Sequence, residues 1–98
     1  MKLETAAECL EALGSPHRLG IYRLLVESGP TGMSVGQIQS RIEMPASTLS
    51  HHIAKLVKHG LISQERSSRN LLCCCNYSRM DELLRFLSEN CCAGDCAS

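Results

Sequence analysis

Two short helical patterns joined by a tight link, with a hairpin pattern directly after them, constrain the fold of this sequence most. The first pattern covers residues 34–42, where Ser34 has the polar side chain typical of a helix N-cap. The second opens with Pro45 and continues to about His59, where Gly60 ends it. Two short helices in this arrangement indicate a helix-turn-helix.

Strand and helix patterns on either side complete the domain. Two runs with strand character, 61–65 and 71–77, flank a polar link and predict a β-hairpin, which would form the wing of a winged helix-turn-helix. Further helical patterns cover residues 3–13, 16–26 and 80–92, and Ser15 is the expected N-cap of the second of these, with Pro16 at its first position. We therefore predict one mainly α domain over residues 1–98, with about five helices and two strands, and a cysteine-rich tail over 91–98.

The size and the apolar composition both limit the core. A chain of 98 residues buries only a small core, so a second copy that covers more apolar surface would stabilise it. The aromatic residues are only Tyr22, Tyr77 and Phe86, and tryptophan is absent. The core must therefore be aliphatic, which suits packed helices better than a β-sandwich.

The charges are balanced in number but not in position. The formal net charge is zero, which at first argues against a nucleic-acid partner. Residues 45–79, however, contain Glu65 as the single acid against five bases: Lys55, Lys58, Arg66, Arg69 and Arg79. The remaining acids lie on either side of this stretch, so the predicted helix-turn-helix and wing carry the positive charge.

The second helix of the predicted motif has two different faces. At 100° per residue its apolar residues fall on one side, and on the other fall Ser47, Thr48, His51, Lys55 and Lys58. Recognition helices enter the major groove N-terminus first, so we expect the first three to read bases and the two lysines to contact phosphates. Arg66 and Arg69 would contact DNA from the wing.

A solvated amphipathic helix with no partner is the simpler interpretation of that pattern alone. The preceding short helix, the following hairpin and the local charge surplus together favour DNA binding. His52 lies at the edge of the apolar face, and we expect it to be a packed structural residue. His59, beside Gly60, suits the negative end of the helix dipole.

Over nearly its whole length the chain resembles the ArsR/SmtB family of metal-responsive repressors, and two segments carry the resemblance. Residues 12–19, Ala-Leu-Gly-Ser-Pro-His-Arg-Leu, are similar to the start of the family's second helix, and residues 47–53, Ser-Thr-Leu-Ser-His-His-Ile, to its recognition helix. The resemblance implies a homodimer, paired through its first and last helices, that binds a pseudo-palindromic operator. It also implies release of the operator when an effector binds.

The family's usual effector ligands are missing from this chain. Where its arsenic motif has Cys-Val-Cys, residues 34–38 read Ser-Val-Gly-Gln-Ile, and the last helix lacks the histidines of its zinc site. The remaining candidates are Cys91, Cys92 and Cys96, with Gly94 allowing the tail to reverse. Three thiolates without imidazole fit trivalent arsenic or antimony better than tetrahedral zinc, and methylated arsenic needs only two. A thiol-rich tail without a ligand is the alternative.

The other four cysteines have simpler explanations. Strand alternation sends Cys73 and Cys75 to one face and Cys74 to the other, so the triplet cannot close on one ion, and packing is the favoured role. Cys9 lies at the margin of an apolar helix face, where a structural role is again favoured. As a minor hypothesis, pairing of the first and last helices would bring Cys9 towards Cys91 of the partner subunit and Cys92 of the partner subunit.

The cysteine content also bears on compartment and function class. The N-terminus has acids and no apolar signal region, so we expect a cytoplasmic protein in which seven cysteines form no static disulfide framework. A redox-sensing or persulfide-sensing repressor that uses the same terminal cysteines stays open. A thiol-disulfide enzyme or a metal-storage protein is disfavoured, because no Cys-x-x-Cys precedes a helix. We expect no enzymatic activity and no required cofactor.

Overall fold

The helices and strands follow the predicted order, with one additional strand. The computed structural model describes residues 1–91. The five helices are α1 (Leu3–Leu13), α2 (Pro16–Ser28), α3 (Val35–Arg41), α4 (Ala46–Lys58) and α5 (Tyr77–Ser88). The strands are β1 (Met33–Ser34), β2 (Ile62–Ser67) and β3 (Asn70–Cys75). A single 3-10 turn, Gly29–Thr31, joins α2 to β1.

Side-chain caps explain where α2 and α3 begin. The Ser15 hydroxyl accepts a hydrogen bond from the Arg18 N–H at 3.4 Å, and Pro16 occupies the first helical position. Ser34 and Gln37 form a reciprocal capping box, in which the Ser34 Oγ accepts from the Gln37 N–H at 3.1 Å. Both predicted N-caps, Ser15 and Ser34, are therefore confirmed.

Both predicted ends of the last helix are wrong. The Asn76 side chain accepts from the Arg79 N–H at 3.2 Å, and this cap starts α5 at Tyr77 rather than at Met80. The helix ends at Ser88 and not near Cys92, because Glu89 is extended (ψ 136°) and Asn90 is left-handed (φ 60°). Cys91 therefore lies beyond the end of α5, whereas the pattern over 80–92 predicts it within the last helix.

The sheet has three antiparallel strands in the order β1-β3-β2. The hairpin pairs Ile62 with Cys75 and Ser67 with Asn70. The third strand, which was not predicted, pairs Met33 with Cys73. Its approach depends on Gly32 (φ +70°), where a Cβ atom would lie 2.5 Å from the Cys73 carbonyl oxygen, so only glycine fits at this position.

The core is aliphatic, as predicted, and it fixes the position of α4. The largest fully buried aliphatic side chains come from α2, α3, α4 and the residue before β2, and they are Ile21, Leu25, Ile38, Leu49, Leu56 and Leu61. Tyr22 is the one aromatic side chain in the buried core of residues 1–91. Among these residues, none of the helices is both long enough and apolar enough to cross a bilayer.

Candidate nucleic-acid interface

The two faces of α4 separate as predicted. Leu49, Ile53 and Leu56 are buried against the rest of the domain. The opposite face is exposed at Ser47, Thr48, His51 and Lys58, whereas Lys55 is half-buried. The helix thus docks through its apolar side and leaves hydroxyl, imidazole and ammonium groups free to reach another molecule.

The first turn of α4 adds backbone donors to this face. Pro45 occupies the N-cap and forms no side-chain cap with the first turn. The first N–H groups of a helix lack partners within the helix, and the positive end of its dipole lies there. With Ser47 and Thr48 exposed beside these donors, the N-terminus of α4 is chemically suited to phosphate oxygens and base edges.

Lys55 differs from the other predicted DNA contacts because an acid of α1 already binds it. Its Nζ lies 3.3 Å from the Glu11 carboxylate. A second acid of α1, Glu8, lies 3.7 Å from Nδ1 of His59, which makes an ion pair when the imidazole is protonated. Sequence reasoning missed these two acids. The sequence gives no direct signal for them, because these charges meet only when α1 packs against α4.

The predicted wing arginines are both exposed. Arg66 lies in β2, and Arg69 occupies the tight turn that links β2 to β3, where Ser68 adopts the left-handed conformation (φ 58°). All residues of β2 after Ile62 are exposed. Both guanidinium groups are therefore accessible at the end of the hairpin, as a DNA-contacting wing requires.

His52 is a packed structural residue, as predicted. Its ring stacks on His17 with centroids 5.7 Å apart, and its Nδ1 lies 3.3 Å from Nη1 of Arg18. The Arg18 Nε also donates to the Ala12 carbonyl, so this cluster joins α1, α2 and α4. Burial lowers the pKa of His52, and the adjacent Arg18 charge lowers it further.

The cysteines of the strand triplet alternate as predicted. Cys73 and Cys75 are buried, whereas Cys74 is half-buried on the other face and donates its S–H to the Pro30 carbonyl at 3.7 Å. The Cys73 sulfur accepts from Gln64 Nε2 at 3.5 Å. Burial raises the pKa of the Cys73 and Cys75 thiols, which keeps them protonated and makes them poor metal ligands.

Cys9 is also a core residue. Its side chain is 1% exposed and donates its S–H to the His59 carbonyl at 3.7 Å, at the C-terminal end of α4. Burial raises the pKa of this thiol. The structural role expected for Cys9 is confirmed, and its position in the core argues against an approach to Cys91 of the partner subunit.

Of the predicted effector ligands, Cys91 lies within the described part of the chain. It is exposed in the turn after α5, where its backbone N–H donates to the Ser88 carbonyl at 3.0 Å. Cys92 and Cys96 lie outside the described residues. Over residues 1–91, no three His, Cys, Asp or Glu side chains group closely enough to hold a metal ion.

The predicted dimerisation helices carry exposed leucines. On α1, Leu3 is 68% exposed and Leu10 is 43% exposed. On α5, which contacts α1, Leu84 and Leu87 are 56% and 54% exposed. Apolar side chains of this size on two neighbouring helices are typical of a surface that a protein partner covers.

Comparison with known sequences supports a regulatory role. A family model described as a helix-turn-helix domain matches residues 13–65, which include α3, α4 and the start of the wing. The uncharacterized HTH-type transcriptional regulator MJ1325 of Methanocaldococcus jannaschii is 33% identical over 88 residues. The match covers 90% of this chain and 97% of that protein.

Solved structures of similar proteins have the same architecture. The transcriptional repressor BigR from Xylella fastidiosa aligns with a TM-score of 0.68 and 26% identity, over 90% of this chain and 87% of that one. The homodimeric winged helix-turn-helix DNA-binding domain of Mb0332 from Mycobacterium bovis, a possible ArsR-family regulator, aligns with a TM-score of 0.70 and 22% identity. This match covers 92% of this chain and 83% of that one, so the fold is that of ArsR-family regulators.

Proposed function

The chain belongs to the helix-turn-helix family of transcriptional regulators, and from this premise we propose that it is a cytoplasmic, homodimeric repressor released from its operator by trivalent arsenic. In this proposal α4 reads the operator, the wing contacts the flanking DNA, and Cys91, Cys92 and Cys96 bind the effector.

The division of α4 into two faces carries the DNA-binding proposal. The apolar side of α4 is buried in the core, and the polar side is exposed and can enter a groove of the duplex. Base edges are assigned to Ser47, Thr48 and His51, and phosphates to Lys55 and Lys58. Arg66 and Arg69 reach the flanking backbone or minor groove from the hairpin.

The homodimer is supported by the exposed leucines of α1 and α5 and by the homodimeric state of Mb0332. Two copies related by a two-fold axis present two α4 helices to the same side of the duplex. Such helices bind half-sites about one turn of DNA apart, which predicts an operator that is close to a palindrome.

Effector release is the finer part of the proposal. Burial keeps the Cys9, Cys73 and Cys75 thiols protonated, whereas Cys91 is exposed at the end of α5. Arsenite would condense with three thiols: each new As–S bond replaces an As–O bond, and each thiol proton leaves in a water molecule. A ligand at the end of α5 can bias the dimer, and hence the distance between the two α4 helices, only through unequal affinity for the two arrangements.

An arsenite titration of a labelled operator complex tests this proposal. The wild type should release DNA as arsenite is added. The double variant Cys91→Ser, Cys92→Ser should bind the operator normally and keep it in arsenite, and the matched control Cys74→Ser should behave as wild type. Release of DNA from the double variant would refute the site assignment.

The same complex distinguishes the alternative effectors. If peroxide or polysulfide releases the DNA and arsenite does not, the cysteines form a redox or persulfide sensor and not an arsenic sensor. Antimonite should act as arsenite does. A Cys96→Ser variant that ignores arsenite yet responds to methylated arsenite would assign two thiols to the methylated form and three to the inorganic one.

A further inference from the structure

Three contacts join α1 to the C-terminal end of α4. Glu11 lies 3.3 Å from Lys55 Nζ, Glu8 lies 3.7 Å from His59 Nδ1, and the Cys9 S–H donates to the His59 carbonyl between them. The Cys9 contact is buried and holds the two helices together. The two acids lie on the polar side of this junction and face bases of the helix to which we assign DNA reading.

The Glu11–Lys55 pair is arranged so that DNA can open it. The Glu11 side chain is 74% exposed and that of Lys55 is 36% exposed, so water screens their attraction. Ion pairs in such positions contribute little to stability. Lys58, one turn further along α4, is exposed and forms no ion pair within residues 1–91. The two lysines of α4 are therefore not equivalent, because one ammonium has a carboxylate partner and the other does not.

We propose that Glu11 competes with DNA phosphate for the Lys55 ammonium and thereby lowers the affinity of α4 for DNA. This inference rests on the proposed DNA-binding function and adds a residue outside the recognition helix that sets its affinity. When Lys55 turns to a phosphate, it gives up the carboxylate, and the freed Glu11 charge lies close to the negative DNA backbone. Both effects oppose binding, and both end when Glu11 loses its charge.

A charge-neutral substitution with a matched control tests the proposal. Glu11→Gln removes the carboxylate charge, and Glu27→Gln removes the same charge from an exposed ion pair with Arg23 (3.9 Å) on α2. The measurement is fluorescence anisotropy of a labelled random-sequence duplex at several salt concentrations. Glu11→Gln should bind about two- to fivefold tighter than Glu27→Gln, with a log–log salt slope steeper by up to about 0.9, the contribution of one phosphate contact.

A second pair of variants shows whether the effect passes through Lys55. In a Lys55→Gln background, adding Glu11→Gln should tighten binding less than it does in the wild type, because only the direct repulsion between Glu11 and the DNA backbone is left to remove. Equal binding by the Glu11 and Glu27 variants in the wild-type background, or weaker binding by Glu11→Gln, overturns the competition while leaving the DNA-binding function intact. Failure of the wild type itself to bind duplex DNA with salt dependence overturns the proposed function as well. Circular dichroism checks that each variant is folded.

Discussion

Helices α4 and α5 are both amphipathic, but the rest of the chain buries the apolar side of α4 more completely than that of α5. In α4 the rest of the chain buries the apolar side: Leu49 and Leu56 are 0% exposed and Ile53 is 2% exposed. In α5 only Leu83 is buried, at 5% exposed, whereas Leu84 and Leu87 remain more than half exposed. One helix presents a polar face to solvent, and the other presents an apolar one.

This difference indicates what covers each helix. Burying an exposed leucine against another apolar surface lowers the free energy by about 25 cal/mol for each Å² removed from water. Hydroxyl, imidazole and ammonium groups gain nothing from such a surface but pair well with phosphates and base edges. The same chain therefore has one helix suited to nucleic acid and one suited to a second copy of itself.

The largest expected effect concerns the buried side of α4. Leu56→Ala should lower the free energy of unfolding by about 2–5 kcal/mol, because it leaves a cavity in a closely packed core. Leu19→Ala, on an exposed leucine of α2 (44% exposed), is the matched control and should cost less than about 1 kcal/mol. Urea unfolding at one fixed protein concentration measures both. An equal loss of unfolding free energy in Leu56→Ala and Leu19→Ala would mean that the apolar side of α4 is not part of the core.

The apolar side of α5 should affect association. The double variant Leu84→Ala, Leu87→Ala should raise the dimer dissociation constant by on the order of a hundredfold, since each side chain loses its buried apolar area twice in a symmetric dimer. Sedimentation equilibrium measures the change, with Leu19→Ala again as control. A dissociation constant that both variants leave unchanged would exclude this face of α5 from the interface.

The exposed side of α4 should affect sequence preference. His51→Ala should reduce the preference for a selected operator over random duplex by about 1 kcal/mol, or roughly fivefold, because one base contact is lost. Binding competition between the two duplexes measures this ratio, after the operator has been selected from a random library. If both duplexes are weakened equally, His51 contacts the backbone and not a base.

The order of the helices and the two faces of α4 could be predicted because they depend on local patterns. Caps such as Ser15 and Ser34 and the apolar spacing of residues 46–57 act over one or two helical turns. The resemblance of residues 12–19 and 47–53 to a known family then supported the helix-turn-helix and wing that the local patterns predict.

The features that sequence reasoning missed depend on contacts far apart in the chain. The short strand β1 exists because Gly32 lets Met33 approach Cys73, forty residues further on. The early start of α5 was hidden by Tyr77, an aromatic residue that fits a strand pattern as well as a helix. The Glu11–Lys55 pair needs α1 and α4 to be packed together before the charges meet.

The smallest expected effect concerns the cluster behind α4. The pKa of His52 in the folded chain is lowered below its ordinary value of 6.5, so the folded state binds a proton less readily than the unfolded state. The free energy of unfolding should therefore fall as the pH decreases below about 6.5 and continue to fall until the folded-state pKa is passed. Urea unfolding at several pH values should show a weaker decline for His52→Gln than for wild type. Identical pH profiles would contradict the assignment of this dependence to His52.

The account depends most on DNA covering the polar face of α4, and the salt dependence of duplex binding tests this directly. Lys58→Gln should reduce the log–log salt slope of the wild type by about 0.9, because one phosphate contact is lost. Lys2→Gln removes the same charge from an exposed residue at the N-cap of α1, outside α4 and the wing, and should leave the slope unchanged. A slope that is the same in wild type, Lys58→Gln and Lys2→Gln would show that α4 does not lie against the DNA.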